Sequence, residues 1–282
     1  MSDPTEASVY FIGNATTLIR CQGFTLLTDP NFLHRGQRAY LGWGISTRRR
    51  TDPAMEIGRL PAIDAVVLSH MHGDHWDRVA RQGLDRRLPI FTTPHAAERL
   101  RRQGFGNAIG LSTWQDRVML RDGRRLKITA LPARHAPGPA ERLLPPVMGG
   151  MLEFGGEDGK VDLRLHISGD TLLDDRLNAI PRRFPDIDVA IVHLGGTKLL
   201  GTLLVTMDGM QGAQWVELIG ADHTVPVHYD DYEAFSSGLD DFRRHVNRLG
   251  LADRVHYVAR GETYHVLGRR TGRAGRAGRE SH

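Results

Sequence analysis

The sequence predicts an α+β fold of four layers, in which two β-sheets face each other and helices cover their outer sides as an αββα sandwich. Runs of strands interrupted by helices occur in both halves of the chain, and no linker-like segment separates the halves. The 282 residues with 40% apolar content are enough to bury the core of one large domain. We therefore expect one domain over residues 1–268, followed by a tail at 269–282.

The first half of the chain opens as a meander of short strands, because turn dipeptides interrupt the apolar pattern at Gly13-Asn14 and Gln22-Gly23. Residues 30–60 show no clear period and are predicted to be a long loop near the site. The elements predicted for this half are strands at 8–12, 16–21, 24–28, 63–68 and 88–93 and a helix at 95–103.

The second half repeats this mixture of strands and helices. The Asp122-Gly123 dipeptide between two apolar runs predicts a hairpin. The predicted strands are 118–120, 125–131, 147–154, 163–168, 187–194, 224–228, 254–259 and 262–267, and the predicted helices are 208–219 and 239–248. The similarity of the two halves is the reason for placing one sheet in each.

The formal net charge of +4 is located in the tail, where five arginines and one glutamate account for all of it. The rest of the chain is neutral, so we expect no specific binding of nucleic acid. The tail is rich in Gly and Arg and cannot bury enough apolar surface to offset the entropy of ordering it. We expect residues 269–282 to be disordered.

Cysteine usage and the N-terminal sequence bear on the compartment. Cys21 is the only cysteine, which excludes an intrachain disulfide and fits a reducing compartment. The first residues lack the basic and apolar regions of a secretory signal, and no run of 18 apolar residues occurs. We expect a cytoplasmic protein without a membrane span, whose oligomeric state the sequence leaves open.

The residues that carry chemistry begin at His70, where the sequence reads His-Met-His-Gly-Asp-His directly after the predicted strand 63–68. His70 and His72 are two apart, so they point to one side if the strand continues and can converge on one ion. Asp74 and His75 suit a second ion. Imidazole and carboxylate without thiolate favour Zn²⁺ and are also compatible with Mn²⁺ or Fe²⁺.

Two ions that each keep an open position need about seven protein ligands, so further His or Asp residues are expected at strand ends. His135 follows the predicted strand 125–131, Asp170 follows the strand that ends near 168, and His228 ends the strand 224–228. These three complete a set of seven candidate ligands.

In chain order the set resembles the metal ligands of the metallo-β-lactamase superfamily of hydrolases, which implies that fold for residues 1–268. The resemblance implies that the ligands of one ion are His70, His72 and His135. It implies that the ligands of the other are Asp74, His75 and His228, with Asp170 bridging both ions.

Two shorter segments, Thr28-Asp29-Pro30 and Pro226-Val227-His228-Tyr229, resemble the branch that contains ascorbate-6-phosphate lactonases and N-acyl-phosphatidylethanolamine phospholipase D. That branch often has a histidine where this chain has Asn14. For Asp29 two interpretations stay open: a turn residue bonded to its own backbone, or a residue that orients a ligand histidine.

Three further residues are candidates for contact with a substrate. His193 and Lys198 flank Gly195-Gly196 after a buried strand that ends at the same rim. Arg134, together with Lys198 and the run 48–50, could neutralise a phosphate.

These residues predict a dinuclear metal-dependent hydrolase in which a hydroxide bridges two divalent ions and attacks a small-molecule substrate. Asp74 or His228 would move the proton. The predicted substrate is a phosphodiester or a phosphorylated lactone. The alternatives are a lactone or thioester without phosphate, and a non-catalytic metal-binding module.

Overall fold

The structure, a computed structural model, describes residues 7–199 and 201–266. The predicted disordered tail lies outside the described residues, and the domain boundary at 268 stays a prediction. The described residues form seventeen strands: β1 (Ala7–Gly13), β2 (Thr16–Cys21), β3 (Phe24–Thr28), β4 (Arg38–Gly42), β5 (Ile45–Arg48), β6 (Ala65–Val67), β7 (Ile90–Thr92), β8 (Ala108–Gly110), β9 (Asp116–Arg121), β10 (Arg124–Leu131), β11 (Gly149–Gly156), β12 (Val161–Ile167), β13 (Val189–His193), β14 (Lys198–Leu199), β15 (Leu203–Leu204), β16 (His223–Val227) and β17 (Thr263–Val266).

Thirteen of these strands form two mixed sheets. The first sheet has the order β17-β1-β2-β3-β6-β7-β8, and the second has the order β16-β13-β12-β11-β10-β9. In each sheet antiparallel neighbours are followed by parallel ones, from β3 to β8 and from β12 to β16. The strand pairs β4-β5 and β14-β15 form two separate small hairpins.

Helices cover the outer sides of both sheets, which confirms the predicted sandwich. Helix α2 begins at Pro94, which suits a first helical position, and the Thr93 side chain caps it by accepting a hydrogen bond from the Ala96 amide. No helix in the described part of the chain is both long and apolar enough to cross a bilayer. The helices are α1 (Arg78–Gly83), α2 (Pro94–Arg102), α3 (Ala179–Arg183), α4 (Gly209–Ile219) and α5 (Leu239–Arg248).

The main apolar core lies between the sheets. Alternate residues of β1 such as Val9 and Phe11 are fully buried in it, together with Ile128 of β10 and Leu165 of β12. A second cluster joins the other face of the first sheet to α1 and α2. The two clusters fix the sheets so that the ends of β6, β10, β12 and β16 deliver their following residues to one site.

Two predictions for individual elements are wrong. Residues 30–60 are not only a loop, because they contain the β4-β5 hairpin and a short 3-10 turn at Ile57–Arg59. The hairpin strands are mostly half-exposed, so the alternating apolar pattern of a packed strand is absent. Residues 254–259 form no strand, since only Val255 makes an isolated bridge.

Short elements were missed where the periodic signal has too few residues to be read. Helices α1 and α3 have six and five residues, less than two turns each. The start of α1 is nevertheless marked, because the Asp77 carboxylate accepts a hydrogen bond from the Ala80 amide.

Candidate metal centre

The predicted hexapeptide forms a tight loop between β6 and α1, and the carboxylate of Asp77, which follows it, ties the start of α1 to residues 32 and 33. Asp77 accepts hydrogen bonds from the amides of Ala80, Phe32 and Leu33 at 2.5 to 2.7 Å. Gly73 lies against the β4-β5 hairpin, where a Cβ would be 2.7 Å from both the amide nitrogen and the carbonyl oxygen of Tyr40. Only glycine fits that contact without displacing the hairpin.

Three histidine nitrogens converge within this loop and the end of β10. His72 Nδ1 is 2.9 Å from His70 Nε2 and 3.0 Å from His135 Nε2. The other nitrogen of His135 is 2.9 Å from the carbonyl oxygen of Val205, to which it donates, so Nε2 carries a lone pair. Burial lowers the pKa of His70 well below its ordinary value and that of His72 to about 3, so both rings are neutral.

A second group of ligand atoms lies beside the first. His75 Nε2 is 3.2 Å from His228 Nε2, which is 3.4 Å from Asp74 Oδ2. His228 Nδ1 lies 3.0 Å from the Leu194 carbonyl oxygen and donates to it, which leaves Nε2 as the lone-pair nitrogen. Asp170 lies between the groups, since its Oδ2 is 3.2 Å from His75 Nε2 and 4.0 Å from His70 Nε2.

The donor set fits a pair of divalent cations. Asp74 Oδ1 and Asp170 Oδ1 are buried without a hydrogen-bond partner in the described part of the chain, and such atoms are costly unless something else satisfies them. The facing nitrogens of His70, His72 and His135, 2.9 to 3.0 Å apart, make no hydrogen bond between themselves when none carries a proton. Cations between these atoms would satisfy the clusters, which are therefore suited to a dinuclear site.

The electrostatic balance of the site also favours positive charge. Burial works against a charged His75, but Asp170, Asp29 and Asp74 outweigh it and raise the pKa of that histidine well above its ordinary value. For Asp170, burial favours the neutral acid, yet His228 and His75 hold its pKa well below the ordinary range. The carboxylates therefore stay ionised and attract a cation.

The Asp29 carboxylate contacts the ring of His75, a candidate ligand, which is the contact that one of its two predicted roles would need. Its Oδ2 is 3.0 Å from His75 Nδ1, while its two oxygens accept hydrogen bonds from the amide and hydroxyl of Ser69. Burial alone would raise the pKa of Asp29, but His75 and His193 lower it to about 2. His193 is itself fully buried, with Nε2 3.4 Å from Asp29 Oδ2, so it contacts Asp29 rather than the open cavity.

Asn14 joins the two sides of the site through its backbone and side chain. Its Nδ2 donates to the Asp74 carbonyl oxygen at 2.6 Å, and its own carbonyl oxygen accepts from the His228 amide at 2.9 Å. Asn14, Asp29 and His228 all have positive φ angles, of 53°, 33° and 63°. Non-glycine residues rarely adopt this conformation, and its repetition around one cluster is typical of functional sites.

A cavity of about 250 Å³ opens onto the cluster, and His72, Asp74, His135 and Asp170 form part of its wall. Lys198 also lines it, while its contact with a substrate stays a prediction, and the β4-β5 hairpin covers one side. The remaining lining residues are Leu41, Ile45, Ser46, Thr47, Leu144, Thr197, Val205, Thr206, Glu233 and Ala234.

The predicted arginines are placed elsewhere. Arg134 donates to Asp174 at 2.7 Å and lies 3.5 Å from Glu141, and it is not among the residues that line the cavity. Arg49 is buried against Asp231 and Asn31. The neighbours of Arg49 in the run 48–50 do not line the cavity either.

Several residues that support the site were not singled out from the sequence. Ser69, Asp77 and Asp231 form hydrogen bonds that fix Asp29, the hexapeptide loop and Asn14. Asp77 could have been found as the N-cap of a short helix. No local sequence pattern marks Asp231, because the Asn14 amide from which it accepts a hydrogen bond is far from it in the sequence.

Comparison with known proteins agrees with this geometry. A family model described as a beta-lactamase superfamily domain matches residues 25–229. An uncharacterized protein of Mycobacterium bovis is 30% identical over 145 residues, which cover 48% of this chain and 36% of that protein. The match thus spans little more than a third of that relative's length.

Other relatives match more of the chain or carry descriptive names. A UPF0173 metal-dependent hydrolase of Deinococcus radiodurans is 27% identical over 68% of this chain and 76% of its own. An N-acyl-phosphatidylethanolamine-hydrolyzing phospholipase D of Caenorhabditis elegans is 27% identical over 45% of this chain and 37% of its own. The crystal structure of a possible metal-dependent hydrolase from Veillonella parvula covers 94% of this chain and 100% of its own, with a TM-score of 0.75 and 24% identity.

Proposed function

Because the chain belongs to the metallo-β-lactamase superfamily, we propose that it cleaves a phosphodiester in a small molecule by means of two divalent metal ions. The chain is a metal-dependent hydrolase, as the name of its Deinococcus relative suggests. The observation that carries the proposal is the clustering of seven His and Asp side chains, four of which line one cavity, with carboxylate oxygens left unpartnered.

The ligands divide into two sets in this proposal. His70 Nε2, His72 Nδ1 and His135 Nε2 would hold one ion. Asp74, His75 and His228 would hold the other, and Asp170 would serve both. The mixture of imidazole and carboxylate favours Zn²⁺ and also accepts Mn²⁺ or Fe²⁺. When bound, such a pair supplies a water of lowered pKa and polarises the bond under attack.

The protein's own residues prepare the site for that chemistry. The carbonyl oxygens of Val205 and Leu194 fix the tautomers of His135 and His228. Asp29 orients His75. Asp74 lines the cavity and has an oxygen without a hydrogen-bond partner, so it is placed to accept a proton from the attacking water. His228 Nε2 lies 3.4 Å from that carboxylate, but its Nδ1 proton is held by the Leu194 carbonyl oxygen, so in this proposal His228 would hold the ion and Asp74 alone would move the proton.

The charge of the cavity selects between the two predicted phosphate substrates. Lys198 is the one Lys or Arg among the described lining residues, and Glu233 opposes it. A phosphodiester has one negative charge, whereas a phosphorylated lactone has nearly two at neutral pH. A single lysine beside a glutamate favours the diester. The name of the Caenorhabditis relative, a phospholipase D, also supports a phosphodiester.

A lactone or thioester without phosphate is the second candidate. The apolar side chains of Leu41, Ile45, Leu144 and Val205 line the same cavity and suit an uncharged substrate. A non-catalytic metal-binding module has less support, because the cavity exposes Asp74 and Asp170 to a small molecule.

Turnover of bis(p-nitrophenyl) phosphate, a neutral lactone and a thioester by the metal-loaded protein tests the proposal. Lys198→Ala should raise KM for the phosphodiester about tenfold, from the loss of a charge-assisted contact, and leave lactone KM unchanged. Lys160→Ala removes an exposed lysine outside the cavity and serves as the matched control.

Two results would contradict the proposal, one its substrate and the other its claim that the protein is catalytic. Rapid lactone opening without phosphodiester turnover would establish the second candidate. Tight binding of two metal ions without hydrolysis of any of the three substrates would identify a binding module.

A further inference from the structure

Five exposed arginines lie together around the β4-β5 hairpin, and we call this surface the arginine face. None has a carboxylate within ion-pair distance in residues 7–199 and 201–266. Its members are Arg38, Arg78, Arg81, Arg99 and Arg142. Three exposed arginines elsewhere on the surface, Arg87, Arg102 and Arg176, are paired with acids. Arg20 and Arg248 also have no ion pair within the described residues, but they line neither of the depressions described below. The arginine face therefore concentrates positive charge that the protein itself does not neutralise.

Large apolar side chains project from the same surface, and we call them the apolar tip. Tyr40, Trp43 and Leu143 are 59%, 69% and 56% exposed. Trp43 Nε1 donates to the Leu143 carbonyl oxygen at 2.7 Å, which joins the hairpin to the segment Gly138–Leu143. Exposed apolar side chains gathered in one place, unlike scattered ones, are typical of an interaction surface.

Two adjoining depressions show that the arginines and the tip share one face. The larger, of about 1060 Å³, is lined by Trp43, Leu143 and Arg142. The smaller, of about 290 Å³, is lined by the other four arginines of the face. Tyr40 and Arg99 line both depressions. The positive charge and the apolar side chains are thus contiguous.

The acids near this face are already engaged. Asp77, in the smaller depression, accepts three backbone hydrogen bonds. Glu141, in the larger one, pairs with Arg134 and Arg176. Neither carboxylate is free to neutralise the arginine face.

We propose that the arginine face and the apolar tip bind peripherally to a lipid bilayer that contains anionic lipids. Arginines attract negatively charged headgroups, while Trp, Tyr and Leu side chains insert at the boundary between headgroups and acyl chains. Nucleic acid would use the same charge and could stack on Tyr40 and Trp43. It would leave the aliphatic surface of Leu143, Pro145 and Pro146 without an apolar partner, whereas a bilayer uses the charge and the whole apolar surface.

Binding in this orientation places the candidate active site at the bilayer surface. Leu41 and Leu144 line both the larger depression and the metal-site cavity. The hairpin that carries the tip also contacts Gly73 in the metal loop, through the Gly73 amide and the Tyr40 carbonyl oxygen. Binding to the bilayer in this orientation does not depend on which substrate the site cleaves, since it determines only the position of the site relative to the membrane.

Flotation of the full chain with lipid vesicles tests the inference. The protein should float with vesicles of phosphatidylcholine and phosphatidylglycerol in about equal parts, and neither with phosphatidylcholine alone nor at high salt. Arg78→Ala/Arg81→Ala should weaken binding about thirtyfold. Trp43→Ala/Leu143→Ala should weaken binding to the same vesicles without changing its salt dependence. Both variants should hydrolyse a small soluble substrate at the wild-type rate, which separates this test from that of the proposed function.

Two matched controls keep the result interpretable. Arg20→Ala/Arg248→Ala removes two exposed arginines that line neither depression, and Arg273→Ala/Arg276→Ala removes two from the C-terminal segment. Both should bind like the wild type. The inference is overturned if the wild type does not float, if a control loses as much binding as Arg78→Ala/Arg81→Ala, or if that variant loses only binding to single-stranded RNA or DNA.

Discussion

The two sheets supply the candidate metal ligands in different ways. The first sheet delivers four of them from six consecutive residues after β6, whereas the second delivers His135, Asp170 and His228 from three separate strand ends. The first set is a local motif, while the second exists only once the sheet has formed. One site thus depends on both short-range geometry and long-range topology.

The side chains are also held differently on the two sides. On the first sheet a carboxylate orients the ligand, as Asp29 does for His75. On the second, backbone carbonyl oxygens do so, from Val205 to His135 and from Leu194 to His228. A side-chain partner can be removed by mutation without disturbing the backbone, so the first sheet is where the support of a ligand can be tested separately.

The largest effect is expected from the second sheet, where Asp170 contacts the ligand groups of both proposed ions. Asp170→Ala should lower kcat about a thousandfold, because several kcal/mol of transition-state stabilisation depend on both ions. It should also release metal from both positions, as measured by elemental analysis after dialysis. Retention of two ions and more than a tenth of the activity would show that Asp170 does not link them.

A smaller effect is expected behind the first sheet. Asp29→Asn keeps the shape of the side chain but weakens its hold on His75. Loss of such an outer partner costs about 10- to 100-fold in metal affinity or activity. Titration with a chelator should therefore remove one ion from the variant more readily than from the wild type. If both ions leave at wild-type chelator concentrations, Asp29 has only the role of a turn residue.

The smallest effect on activity is expected from His166, a buried histidine of β12 outside the ligand clusters. Burial lowers its pKa to about 4, below the value of about 6.5 in the unfolded chain. The unfolded state thus binds more protons between pH 6.5 and 4. The stability associated with His166 is complete above pH 6.5 and falls by about 3 kcal/mol as the pH drops to 4.

His166→Leu should flatten this part of the stability curve, measured by urea unfolding at several pH values, while activity at pH 8 stays within twofold. An unchanged slope between pH 6.5 and 4 would mean that the ring is already protonated in the folded protein.

The difference between the sheets also explains what could be predicted from the sequence. The hexapeptide is visible because its spacing alone brings the side chains together. The second set was found from its positions at the ends of predicted strands, and the order of all seven residues then supplied the resemblance to a family. The two-sheet architecture followed from the alternation of apolar runs, and helix α5 has the predicted bounds 239–248.

Features that depend on the folded chain escaped prediction. The β4-β5 hairpin has too little buried surface to show a strand pattern. Arg134 follows the same strand as His135, yet its guanidinium points to Asp174 and Glu141, because side-chain direction at a strand end is set by the partners that the fold brings near. Sequence proximity to a ligand therefore does not indicate contact with substrate.

The central claim is that the two sheets together hold two metal ions, with His75 serving the second. Metal content per chain, measured for the wild type and for His75→Ala, tests this claim most directly. The account predicts about two ions in the wild type and about one in the variant, with the three-histidine group of His70, His72 and His135 still occupied. Two ions and full activity in His75→Ala would contradict it.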